Sequence, residues 1–366
     1  MTTAPPFRRQ TGPGLNRQQR LLLSRVSRSF DLSIRLLPPA LQAPVAIGYL
    51  LARATDTVAD TSALPLAERQ ALLDLMKEAI NTPSDGSAQP LNPPIHGLTQ
   101  AFAAQQSHPH ERALMQALPE CLALLHTLSE ADQASVRTVL ELITQGQQQD
   151  MTLFGRGPEQ LVALPTEADL DHYTWLVAGC VGEFWTELCG RHLPGYAQLS
   201  QDEMLRIGRE YGMGLQRLNI IRDMGSDLAD GRCYWPQETL ALAGLTPEWL
   251  AQASTTKADP QNLQNLECLA PLYTQWLDQT QAQLACGMRY ALAVQPWRLR
   301  LASALPALIG ARTVALLRQA GPAALTQNVK MPRQEVRALL WRLALGWGSR
   351  KALDQQFRQL SEEGPA

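Results

Sequence analysis

The sequence predicts an all-α fold in one domain, and three observations carry that expectation. Apolar residues recur at helical spacing along nearly the whole chain. No stretch of alternating β-branched residues stands between hairpin signals. The Pro-, Gly- and Ser-rich breaks, at 81–94, 155–164 and 254–260, are too short and too like their flanks to be flexible interdomain linkers. At 366 residues, length alone leaves one large domain or two average ones open. With 45% hydrophobic and 18% charged residues, the chain has less charge than usual and enough apolar material for a large core and a cavity within it.

Residues 1–16 are expected to be a disordered N-terminal segment. They carry Arg8 and Arg9 but no apolar run ahead of a cleavage site, so no signal peptide is read there. Helix 17–29 follows, and Pro38-Pro39 opens helix 39–59, since proline suits a first turn. That helix carries Val45-Ala-Ile-Gly-Tyr-Leu-Leu-Ala52, apolar on all sides and therefore buried. Helix 66–80 ends at the first break; His108 and His110 flank Pro109 in a polar stretch read as surface loop ahead of helix 110–128. Helices 130–154, 167–189 and 200–229 come next, the last closed by Gly231-Arg-Cys-Tyr-Trp-Pro236. A short helix at 248–251 and longer ones at 263–293, 298–318 and 333–355 complete a helical domain spanning 17–353, with 354–366 read as a tail. Pro306 and Arg312 interrupt the most apolar stretch, 299–317, which reads as a buried helix because a membrane span needs about 20 mostly apolar residues. Trp341 and Trp347, with Leu339, Leu340, Leu343 and Leu345, form an aromatic-rich patch suited first to core packing and second to a bilayer surface.

A formal charge of −2 argues against a nucleic-acid partner bound by wholesale phosphate neutralisation. An anionic substrate must then be met locally, by metal and a few arginines. Cys121, Cys180, Cys189, Cys233, Cys268 and Cys286 show neither a CxxC pair nor compact spacing with histidine. Reduced thiols are expected, not a zinc site or a disulfide framework.

Two acidic segments carry the chemistry. Asp56 and Asp60 stand four residues apart in one predicted helix, and Asp223 and Asp227 do so in another. Four residues is about one turn, so each pair shares a face. Carboxylates so placed repel and cost each helix a few tenths of a kcal/mol, roughly, unless a cation bridges them. Mg²⁺ held by a few carboxylates completes its shell with water and substrate phosphate, which points to chemistry on a diphosphate. Upstream, Tyr49 and Arg53 extend the first stripe. A solvated face with an Arg53–Asp56 ion pair would be worth under about 1 kcal/mol, but the apolar flanks favour burial. In the second stripe, Gln216, Asn219, Asp223 and Asp227 follow at intervals of three, four and four, with Arg222 on another side and Arg232 just beyond. Ser27-Arg28-Ser29-Phe30 offers hydroxyl and guanidinium donors for phosphate oxygens.

Taken together these residues resemble the head-to-head prenyl synthases, the family of squalene, dehydrosqualene and phytoene synthases. The resemblance runs from about residue 24 to 350 in the family's order. It rests on Ser27–Phe30, Tyr49–Asp60, a Gly146–Met151 turn, Tyr173 with Val177-Ala-Gly-Cys-Val-Gly182, and Leu215-Gln-Arg-Leu-Asn-Ile-Ile-Arg-Asp223 through Arg232 and Pro236. Tyr173-Thr-Trp-Leu-Val-Ala-Gly, Gly231-Arg-Cys-Tyr-Trp-Pro, Ala304-Leu-Pro306 and Asn328-Val-Lys330-Met-Pro-Arg333 resemble the squalene synthase branch most. The chain departs from it at Ala59 and at Gly225-Ser226, where acids are usual, and at Pro332 in the basic segment.

The resemblance implies an isoprenoid-synthase-type helical bundle around a central apolar cavity walled by residues such as Phe30, Leu176, Val177 and Leu215. It implies condensation of two farnesyl diphosphates to presqualene diphosphate, then NADPH-dependent reduction to squalene. Mg²⁺ would be held by Asp56, Asp60, Asn219, Asp223 and Asp227, with Tyr173 near the proton transfer. Substrate contacts would come from Ser27, Arg28, Ser29, Phe30, Tyr49, Arg53, Val177, Gln216, Arg222 and Arg232. Arg28, Arg53, Arg222, Lys330 and Arg333 would serve bound cofactor. A cytoplasmic monomer is expected, peripheral to the inner face of the membrane for product release and without the C-terminal anchor of eukaryotic members. A phytoene, dehydrosqualene or presqualene diphosphate synthase without reduction stays open, and a non-catalytic helical scaffold ranks last.

Overall fold

The computed structural model describes residues 20–21, 23–24, 34–61, 64–82, 97, 99–100, 102–104, 106, 108–155, 157, 159–255, 267–345 and 348–362. The fold is all-α, as periodicity implies. The first long helices are α1 (Pro39–Asp60), α2 (Leu66–Asn81), α3 (Pro109–Gln116), α4 (Leu118–Leu125) and α5 (Glu130–Phe154). After β1 (Val162–Ala163) come α6 (Glu167–Thr174), a π turn (Trp175–Gly179), α7 (Cys180–His192) and α8 (Gln201–Ala229). Then β2 (Arg232–Cys233) leads to α9 (Gln237–Leu242), α10 (Pro247–Thr255), α11 (Ala270–Ala293) and α12 (Trp297–Ala320), a 3₁₀ turn (Gly321–Thr326), α13 (Arg333–Leu345) and α14 (Arg350–Glu362).

Local chemistry sets the boundaries that matter. Ser129 caps α5 by accepting from the Asp132 amide, and Ser200 caps α8 through Glu203. Thr166 and Asp169 form a reciprocal capping box that starts α6. Helix α8 runs through the middle of the bundle against α7, the π turn, α11 and α12, while α1 packs on α2, α4 and α5. One apolar cluster gathers Leu50, Leu51, Val58, Leu73, Val136 and Leu140 around α1 and α5; a second gathers Leu218, Ile221, Trp235, Trp276 and Leu308 around α8, α11 and α12.

Several boundaries differ from the sequence expectation. The helix read at 110–128 is two, α3 and α4, because the chain turns at Ala117 ahead of Pro119. The helix read at 333–355 is also two. Gly348, at φ 66°, redirects the chain between them. The residues read as a tail from 354 are helical through Glu362, since Leu353, Phe357 and Leu360 form a buried stripe. The Gly146–Met151 segment lies inside α5 and is not a turn. His108 is exposed, but it is the residue that precedes α3. Two short parallel strands, β1 and β2, and helix α9 went unread because each is too short to show a period. Residues 1–16 and the Ser27–Phe30 segment lie outside the described residues, as do Trp347 and most of helix 17–29. One described stretch, Trp297–Thr326, is long and apolar enough to cross a membrane, and 78% of its most apolar window is buried in the fold. All six cysteines are free.

Candidate active site

A cavity of about 760 Å³ opens between α1, α5, α6, the π turn, α7 and α8. Its lining is divided. Arg53, Asp56, Asp60, Arg69, Asp150, Tyr173, Arg232 and Tyr234 bring charge and hydroxyl groups to it, and Ala52, Ile143, Met151, Val177 and Val181 give it apolar wall.

Helix α1 delivers the first stripe as expected, with Tyr49, Arg53, Asp56 and Asp60 all on the cavity. Arg53 donates to Asp56 and lies 3.7 Å from Glu111. From α8 only Gln216 reaches the main cavity. Asp227 borders a small adjoining hollow that shares Arg232 and Tyr234 with it. Asn219 donates to Gln216 Oε1 at 3.3 Å, and Asp223 accepts from the guanidinium of its neighbour Arg222, at 2.8 Å from Nε. Tyr173 and Val177 line the cavity; Leu176 is fully buried and neither it nor Leu215 is among the lining residues. Lys330 and Arg333 are exposed beyond the 3₁₀ turn and do not line it.

Asp150, Tyr234 and Arg69 line the cavity without having been candidates from the sequence. Asp150, on α5, accepts from the Tyr234 hydroxyl at 2.5 Å and lies 3.6 Å from Arg232. Tyr234 stacks on Tyr173 with ring centroids 5.2 Å apart and meets Phe154 edge-on at 5.0 Å. Arg69, on α2, reaches over to donate to the Ala59 carbonyl at 2.7 Å. The β1–β2 pair fixes Arg232: the Val162 and Leu164 amides donate to the Gly231 and Cys233 carbonyls, both at 3.0 Å. Close helix contact fixes Tyr173. A Cβ on Gly182 would lie 1.9 Å from the Gly208 carbonyl oxygen, so only glycine lets α7 and α8 approach this far. The π turn between Tyr173 and Gly182 is the kind of irregularity that redirects side chains at functional sites.

The carboxylates are held out of their usual range. Burial, then the Asp60 charge, pushes Asp56 up to about 6 against the opposing pull of Arg53. Burial, then Asp223, pushes Asp227 to about 7. Asp60 and Asp150 are raised by burial despite Arg232. Burial also takes Tyr173 well above its ordinary value, and the charges of Asp150, Asp227 and Asp56 add to it. Tyr173 therefore stands within electrostatic reach of both acidic stripes. A set of hard oxygen donors with more negative charge than its arginines neutralise is suited to Mg²⁺. Among the described residues no three acidic, histidine or cysteine side chains converge closely enough to hold a metal alone.

A family model described as squalene/phytoene synthase matches residues 23–335. A squalene synthase of Cyberlindnera jadinii is 25% identical over 310 residues, 85% of this chain and 63% of that protein. A squalene synthase of Saccharomyces cerevisiae is 30% identical over 217 residues, 59% of this chain and 44% of that one. The chain thus spans less than two thirds of the length of these curated relatives. In fold it is similar to TcSQS in complex with the ligand BPH1237, at a TM-score of 0.72 and 22% identity over 94% of this chain and 89% of that one.

Proposed function

The chain belongs to the squalene/phytoene synthase family, and from that membership we propose that it is a squalene synthase, joining two farnesyl diphosphates head to head and reducing the product. The observation that carries this is the position of Tyr173, on the cavity and within the field of both Asp56 and Asp227.

Mg²⁺ would be held by Asp56 and Asp60 on α1 and by Asn219, Asp223 and Asp227 on α8, where it supplies Lewis-acid neutralisation of a departing diphosphate. Arg53, Arg69, Arg222 and Arg232 present guanidinium groups to the same phosphate oxygens. As the C–O bond of one donor breaks, the double bond of the second attacks the allylic carbon, and loss of a proton closes a cyclopropane. Tyr173, kept protonated by burial, offers its hydroxyl at that point and can pass a proton through the departed diphosphate. Asp150 holds Arg232 and also Tyr234, which stacks on Tyr173. Ile143, Met151, Phe154, Val177 and Val181 keep water from the carbocations, which it would quench to alcohols.

Lys330 and Arg333 suit the phosphates of NADPH, which supplies hydride to the last carbocation. They follow a 3₁₀ turn pressed so closely on α8 that a Cβ on Gly225 would lie 2.0 Å from the Leu325 carbonyl oxygen. That contact holds Leu325, five residues ahead of Lys330, against α8 at Gly225.

Purified protein incubated with farnesyl diphosphate and Mg²⁺ should give presqualene diphosphate, and squalene once NADPH is added. Squalene carrying deuterium from labelled NADPH supports the reading; a product unchanged by NADPH points to the carotenoid branch or to a presqualene diphosphate synthase. Asp56→Asn and Asp223→Asn should each abolish turnover and leave the helical signal intact. Near-normal activity in both removes the metal assignment.

A further inference from the structure

Three stripes leave the charged head of the cavity and end at one contact. On α1, Asp56, Ala52 and Gly48 follow at four-residue intervals. On α5, Asp150, Gln147 and Ile143 lead one face down to Val136. From the π turn into α7, Val177 and Val181 lead to Phe184. The upper members line the cavity and the last ones do not. A Cβ on Gly48 would lie 3.5 Å from Phe184 Cζ and 4.0 Å from Val136 Cγ2, and both side chains are buried. The chamber therefore closes where these three helices meet, and the Phe184 ring occupies the room that Gly48 leaves. From Asp56 to Gly48 the drop is about 12 Å along the helix axis.

We propose that Phe184, seated against Gly48, is the floor that measures prenyl chain length, admitting a fifteen-carbon tail and excluding a twenty-carbon one. The inference rests on the prenyl diphosphate reading above and adds the residue that sets its specificity. A diphosphate anchored among Asp56, Asp60 and Arg232 fixes one end of the substrate, and the Ala52, Ile143, Val177 and Val181 wall leads its tail toward Phe184. A closed apolar wall discriminates by steric exclusion, and even one methylene in such a site is worth about tenfold or more. An additional isoprene unit meets a ring that lies against the Gly48 backbone, so close that even a Cβ there would touch it at 3.5 Å.

The test uses unreactive analogues, farnesyl and geranylgeranyl S-thiolodiphosphate, binding to the full chain with Mg²⁺. The wild-type protein should prefer the farnesyl analogue. Phe184→Ala should shift the ratio of the two dissociation constants toward the geranylgeranyl analogue by about tenfold or more. Phe184→Leu, a milder change that preserves packing, should shift it in the same direction by less. Ratios within twofold of wild type in both variants, or in Phe184→Leu if the alanine variant fails to fold, overturn the floor and leave the function untouched. A wild-type protein that binds neither analogue overturns the prenyl diphosphate reading and the floor with it.

Discussion

Tyr234 donates its hydroxyl hydrogen to Oδ1 of Asp150 at 2.5 Å, joining residues 84 apart in sequence across the head of the cavity. Arg232 approaches the second oxygen of the same carboxylate at 3.6 Å, and Tyr173 stacks on Tyr234. One half-buried carboxylate thus orients a phenol, a guanidinium and, through the stacked ring, the phenol nominated for proton transfer.

Asp150→Asn keeps the shape of that side chain and removes its charge. Hydrogen bonds to a charged group are worth about 1.5–3 kcal/mol, so kcat/KM for farnesyl diphosphate should fall roughly 10- to 100-fold. Tyr234→Phe removes the same bond from the other side. The double variant should be hardly worse than the worse single one, because coupled groups do not add. Additive losses in steady-state kinetics would separate the two residues.

The glycines after Tyr173 predict a different kind of failure. Gly182→Ala forces a methyl group into the Gly208 carbonyl, so α7 and α8 must part. A cost of about 3 kcal/mol is expected, read as a lower midpoint in guanidinium unfolding. Because the π turn joins α7 directly to the end of α6 that carries Tyr173, kcat should fall even at temperatures where the variant remains folded. A stable and fully active variant would show that the helices can move apart without disturbing the site.

How far the sequence revealed this site depended on range. The α1 stripe reached the cavity as read because Tyr49, Arg53, Asp56 and Asp60 lie within one helix, where a 3.6-residue period decides which side chains share a face. The α8 stripe was read by the same rule, yet only Gln216 reaches the main cavity and only Asp227 the adjoining hollow, and the tertiary packing that decides this has no period. Asp150 carried an unread signal. It ends a buried face that runs Val136, Val139, Ile143 and Gln147, where a carboxylate needs a partner. Tyr234 and Arg69 are brought in by β2 and α2 and have no such local mark. Helix α14 was missed for a compositional reason: its polar residues outnumber the Leu353, Phe357 and Leu360 stripe that docks it on α12.

The junction of α5 and α7 predicts an acid-sensitive stability. Asp132, 5% exposed, accepts from Arg191 Nη1 at 2.8 Å and stands 2.8 Å from His192 Nε2. Burial alone would raise its carboxyl, but hydrogen bonds from His192, Ser129 and Arg191 outweigh burial and hold it below the ordinary 3.8. A folded-state value below the unfolded one stabilises the fold above the unfolded pKa of about 3.9, and that contribution is lost as pH falls through the folded value. Asp132→Asn should cost about 2 kcal/mol at pH 7. The gap between wild type and variant should stay level at pH 5 and shrink at pH 3 in denaturant titrations. A gap that widens on acidification would reverse the sign and discard the assignment.

The two halves of the proposed reaction can be separated at Lys330 and Arg333. Both cations are exposed and outside the cavity lining. Replacing either with alanine removes one charge from the proposed nucleotide site. The KM for NADPH should rise about tenfold, the order expected when a charge-assisted phosphate contact is lost. The rate of presqualene diphosphate formation, measured without NADPH, should remain at the wild-type value. Because exposed charges are screened beyond about 8 Å at physiological ionic strength, added salt should raise the wild-type KM toward that of the variants. An unchanged KM for NADPH in the double alanine variant would move the nucleotide elsewhere, and a loss of the first half-reaction would bring these residues into the condensation itself.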